Sequence, residues 1–78
     1  MNIEDFIENF ASQFEDTDPK EFTPDTIFRD LDEWCSFLAL SEMAMIKSEY
    51  DVAVTALEMR SAETIQDLFT IVYSHLEP

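Results

Sequence analysis

The segment Asp32-Glu33-Trp34-Cys35-Ser36-Phe37-Leu38 brings one serine to the first turn of an expected helix, with Leu40, Met43, Ile46 and Lys47 following at helical spacing. A hydroxyl at that position has two uses. It can cap the helix by accepting a backbone N–H, or it can stay free beside the positive end of the helix dipole, where an anion is favoured. The other candidates for chemistry are sparser. Cys35 is the only cysteine, and a small, partly buried apolar role is expected for it rather than that of a reactive thiol. His75 has no Asp, Cys or Ser at catalytic spacing and reads as a solvated residue near the end of the chain. Asp30, Asp32 and Glu33 suggest calcium, but an EF-hand loop needs a central glycine and a glutamate at its twelfth position, and neither is present.

The 78 residues accommodate a single domain, spanning 1–78. Apolar residues make up 46% of the chain and seven are Phe, enough to offset much of the ordering entropy despite a net charge of -14. Eighteen Asp and Glu against four Lys and Arg give a negative surface potential that disfavours nucleic acid and anionic membranes and favours basic partner patches. A lone cysteine permits no internal disulfide. The acidic opening Met1-Asn2-Ile3-Glu4-Asp5 is unlike a secretory signal, and no apolar run reaches membrane-spanning length, so a monomer in the cytoplasm is the expectation.

Periodicity then supplies the elements that position Ser36. Ile3, Phe6, Ile7, Phe10 and Phe14 mark an amphipathic helix expected to end near Glu15. Asp16-Thr17-Asp18-Pro19 and Pro24 open a long loop to about Trp34, tied down by Phe22, Ile27, Phe28, Leu31 and Trp34, with a helical turn expected at Pro24 to Phe28 capped by Thr23. The second helix, about Ser36 to Glu49, is expected to bury Phe37, Leu40, Met43, Ala44, Ile46 and Tyr50. Met45 and Leu38 are then left to a partner-facing patch. With no glycine in the chain, Asp51 is the candidate for a left-handed helix terminus. Val52-Ala53-Val54 is expected to be an extended loop, and Thr55 to cap a short helix to Arg60 with Leu57 inward. Thr64-Ile65-Gln66-Asp67 is close to a capping box for a last helix striped by Ile65, Leu68, Phe69, Val72 and Leu76. The fold class expected is all-α: a small four-helix bundle with three longer helices, one short helix before the last, and a long loop after the first.

This helix order, together with Phe28-Arg29-Asp30-Leu31-Asp32-Glu33-Trp34, the run from Ser36 to Tyr50-Asp51-Val52, and Thr64-Ile65-Gln66-Asp67-Leu68, resembles the acyl carrier protein family over nearly the whole chain. The family's usual Trp-Asp-Ser-Leu is here Trp34-Cys35-Ser36-Phe37. The resemblance implies a noncatalytic protein whose Ser36 carries a covalent 4'-phosphopantetheine arm, attached by a phosphopantetheinyl transferase. The arm's thiol would hold acyl groups as thioesters for fatty-acid, polyketide or related synthesis. It also implies partner enzymes with basic docking patches, meeting the protein through Trp34, Cys35, Phe37, Leu38, Glu42, Met45 and Glu49. Three departures stand out: Cys35 for aspartate, Phe37 for leucine, and Leu38, Ser41, Lys47 and Ser48 at positions commonly acidic. They leave a second reading, a carrier-like interaction module that has lost the arm. A third, an acidic mimic of nucleic-acid charge, ranks lower because many carboxylates lie in the loop and at helix starts rather than along one face.

Overall fold

A computed structural model describes residues 1–76. Four α-helices follow one another: α1 (Ile3–Ala11), α2 (Ser36–Tyr50), α3 (Ala56–Ser61) and α4 (Ile65–Leu76). Single 3-10 turns at Pro19–Glu21 and Phe28–Asp30 interrupt the long loop between α1 and α2. Helical bundling around one aromatic-rich core is thus the architecture, as the periodicity predicts. Phe6, Phe10, Phe28, Ile46, Ile65, Leu68 and Val72 are its fully enclosed apolar side chains.

Helix α1 is shorter than expected. Ser12 donates its hydroxyl to the Asn9 carbonyl at 2.6 Å, offering the backbone an alternative to the next helical turn. Glu33 then accepts the N–H groups of Glu15 and Asp16 at 2.9 and 3.0 Å and the Thr17 hydroxyl at 2.8 Å, fixing the chain in a non-helical path. Phe14 still reaches the core from the turn. These three donors, the Glu15 N–H foremost, hold the Glu33 carboxyl below its ordinary pKa.

Of the helical turn expected at Pro24 to Phe28 only a single turn closes, the Thr26 N–H donating to the Thr23 carbonyl at 3.1 Å, and a separate 3-10 turn follows at Phe28–Asp30, because the Pro24 and Thr26 carbonyls serve α4. Ile27 pairs with Thr64 as an isolated antiparallel bridge, and the carbonyls of Pro24 and Thr26 accept the N–H groups of Gln66 and Ile65. Orphan donors at the start of α4 are thereby satisfied by the loop. Arg29 provides the return link. Its Nη2 donates to the carbonyls of Met59 and Arg60 at 2.7 and 2.6 Å, closing the C-terminal end of α3, while the guanidinium lies 5.3 Å from the Phe28 ring centroid. Arg29→Ala should lower stability by about 1–2 kcal/mol, and Arg29→Lys by less, as read by urea denaturation.

The remaining helix ends are those the sequence specifies. Asp51 occupies the left-handed region at φ 55° and pairs with Lys47 at 2.7 Å, which lowers its carboxyl pKa. Val52 and Val54 are buried on either side of exposed Ala53, the alternation of an extended segment. Thr55 and Glu58 form a reciprocal capping box at α3. The start of α4 uses the same device, with Thr64 Oγ1 accepting the Asp67 N–H and Asp67 Oδ2 accepting those of Glu63 and Thr64. On α3 and α4 three side chains differ from expectation, Leu76 being exposed at the end of its stripe. Leu57 points outward, 69% exposed, because the Thr55 cap sets a register that turns Met59 inward. His75 is not merely solvated: its Nε2 lies 2.8 Å from Glu58 Oε2, tying α4 back to α3.

Candidate functional site at the start of the second helix

Trp34 seats the loop that leads to Ser36. Its indole stacks on Phe10 at 6.4 Å between centroids and lies against Phe28 at 4.9 Å and Phe14 at 6.2 Å, while the backbone N–H of Trp34 donates to the Leu31 carbonyl. Core anchoring is what the sequence predicts for this residue. Cys35 follows in fully extended geometry, φ -158° and ψ 175°, and stands at the N-cap position. It is exposed, contrary to the partly buried role expected of it, since the extended backbone at the N-cap turns its side chain away from the core.

Ser36 is therefore the first residue of α2 and not its cap. Its side chain is exposed and makes no hydrogen bond among the described residues. The contrast with the other helices is chemical. Asn2, Thr55 and Thr64 each spend a side-chain oxygen on a backbone N–H, and acids occupy the first turns of α1, α3 and α4. At α2 there is no side-chain cap and no acid in the first turn. In a chain of net charge -14, this one helix start leaves its backbone N–H groups and dipole uncompensated, next to a free hydroxyl. A cleft of about 220 Å³ adjoins it, lined by Gln13, Glu15, Glu33, Cys35, Phe37 and Leu38.

Farther along α2, Ile46 is buried as expected, but the faces are otherwise largely reversed. Phe37 and Leu40 are 72% and 65% exposed, and Ala44 is exposed beside them, whereas Leu38, Glu42, Met45 and Ile46 form the buried face. Met43 and Tyr50 are half-buried, the latter accepting a hydrogen bond from Asn9 Nδ2 at 2.9 Å. Of the residues expected to meet partners, Cys35, Phe37 and Glu49 are exposed and Trp34 is half-buried. Leu38, Glu42 and Met45 lie inside the bundle, away from any approaching surface. The reversal has a physical source: α2 carries apolar groups all around its axis, so spacing alone does not say which stripe faces inward, and the charged Glu42 marks the wrong side as solvent-facing.

Glu42 is the one charged residue in the core of the described chain, with no exposed surface. Neither carboxyl oxygen has a hydrogen-bond partner among the described residues. Desolvation pushes its pKa up to about 9 from 4.5. Nothing in the sequence distinguishes it from the exposed Glu49, two turns farther along nearly the same face of α2. The acidic cluster of the loop is differently placed: Asp30, Asp32 and Glu33 border a surface cleft with Asp16 and Glu21, and Glu33 is committed to loop N–H groups.

Fold and site together define a small all-α bundle that displays one free serine at an uncapped helix start. Comparison with protein families, curated proteins and solved structures found no match to the chain. No helix among the described residues is long and apolar enough to cross a membrane.

Proposed function

We propose that this chain is an acyl carrier protein whose Ser36 bears a 4'-phosphopantetheine arm. The observation that carries the reading is the free Ser36 hydroxyl at the only α-helix start among the described residues with neither a side-chain cap nor an acid in its first turn. In the modification, Ser36 Oγ forms a bond to the phosphorus of coenzyme A that carries pantetheine. The bond from that phosphorus to adenosine 3',5'-bisphosphate breaks, and the hydroxyl proton passes to a base on the transferase. The N–H groups of the first turn of α2 favour the resulting phosphodiester. When attached, the arm supplies a thiol for thioesters and a tether that raises the local concentration of cargo at each partner enzyme. The chain itself catalyses nothing. Its partners are the transferase and acyl-transferring or synthase enzymes whose basic patches suit the acidic surface. Docking centres on the outer face of α2, where Phe37, Leu40 and Ala44 are exposed, with exposed Cys35 and Glu49 near the two ends of the helix.

One specific observation favours the alternative of an armless interaction module: that outer face is apolar rather than acidic, and Cys35 replaces the family's aspartate beside the serine. Incubation with coenzyme A and a broad-specificity phosphopantetheinyl transferase, followed by intact mass analysis, separates the two. A single phosphopantetheine adduct, lost entirely in Ser36→Ala, is the expected result. An unmodified native chain, or an adduct that survives Ser36→Ala, defeats the assignment.

A further inference from the structure

Glu42, expected to meet partner enzymes, is left without that role by its complete burial. It shares the inner face of α2 with Leu38, Met45 and Ile46, has no exposed surface, and leaves both carboxyl oxygens without partners among the described residues. A leucine would fill that space without stranding polar atoms, so packing does not account for a carboxyl there. Six residues separate Glu42 from Ser36 on one helix, about 9 Å along its axis. Among the described helices, α1 packs along both α2 and α4, and α3 packs along α4. Met45 on α2 and Met59 on α3 are both buried, and their unbranched side chains repack readily around an inserted chain.

Building on the carrier reading above, we propose that Glu42 recognises cargo inside the bundle, pairing with a hydroxyl borne along an acyl chain, so that hydroxylated acyl groups are held in preference to plain alkyl ones. At neutral pH the desolvated carboxyl is protonated and presents one O–H donor and one carbonyl acceptor. A hydroxyl, itself donor and acceptor, satisfies both without bringing charge into the core. An ammonium or carboxylate on the cargo would add a buried charge, and an alkyl chain would leave the carboxyl unpaired.

The test uses decanoyl-phosphopantetheine and its isomers hydroxylated at different carbons, each transferred to Ser36 from the coenzyme A thioester, verified by intact mass and melted at pH 7. At least one hydroxylated form should melt about 5 °C above the decanoyl form. The difference should vanish in Glu42→Leu and persist in Glu42→Gln, whose amide retains a donor and an acceptor. Equal melting of all forms, a preference that persists in Glu42→Leu, or one that Glu42→Gln abolishes overturns the proposal. Absence of loading in the mass spectrum overturns the carrier reading itself, and this inference with it.

Discussion

Replacing Glu42 by leucine should raise the melting temperature of the unmodified chain by roughly 10–20 °C at pH 7. The reason is linkage. The carboxyl titrates at 4.5 in the unfolded chain and near 9 in the bundle, so between those values the folded state holds a proton that the unfolded state has released. Stability then falls with rising pH across that window, by about 1.4 kcal/mol per pH unit. The Glu42 contribution is greatest below 4.5, where both states are protonated, and is lost as the pH climbs toward 9. At pH 7 the accumulated cost is roughly 3 kcal/mol, a large share of the 5–10 kcal/mol or so that a domain of this size holds. Leucine removes the cost and the stranded oxygens together.

Circular dichroism melts at pH 5, 7 and 8.5 on both proteins check this. The advantage of Glu42→Leu should be smallest at pH 5, where only the stranded oxygens count, and widen steadily to pH 8.5. Groups elsewhere do not blur the comparison. The lowered carboxyl pKa values of Glu33, Asp51, Glu58 and Asp67 make those residues contribute stability above their unfolded values and lose it only as the pH falls into the acid range. A pH-independent gap between the two proteins, or a less stable leucine variant, would show that the carboxyl is solvated or paired in solution.

The parts of the fold legible in the sequence are those written in local chemistry. Thr55 with Glu58, Thr64 with Asp67, and Asp51 as the left-handed residue of a glycine-free chain each specify a helix end through neighbours three or four positions away. The stripes of α1 and α4 are equally plain, because each has one apolar side and one polar side. What escaped depends on distant partners. The early end of α1 reflects Glu33 taking loop N–H groups, and residues 24–27 do not continue as a helix because the Pro24 and Thr26 carbonyls and Ile27 meet the start of α4. The facing of α2 was unreadable for another reason: Phe37 and Leu40 lie outside and Glu42 inside, opposite to what polarity implies. At the candidate site, the place of Ser36 at a helix start follows from sequence. Its freedom from capping is visible only when Cys35 is seen to occupy the cap without contributing a hydrogen bond.

Trp34→Ala should cost about 3–4 kcal/mol, the second large effect, because the indole closes the core against Phe10, Phe14 and Phe28 at once. That loss approaches half of the stability available to the domain, so the variant should be partly unfolded at 37 °C. Trp34→Phe keeps an aromatic face toward Phe28 and should lose only about 1 kcal/mol. Urea denaturation followed by circular dichroism measures both, and the wild-type transition can be followed independently by the fluorescence of the single tryptophan. The outcome bears on Ser36 as well as on the core. Trp34 lies two residues before the serine and fixes where the loop delivers it, whereas α2 has no side-chain cap of its own to hold that end. In Trp34→Phe, which remains folded, hydrogen exchange at the first turn of α2 should therefore quicken more than exchange at the starts of α3 and α4, where the capping boxes are intact. Equal acceleration at all three helix starts would mean that the indole supports the bundle as a whole and has no special hold on the serine.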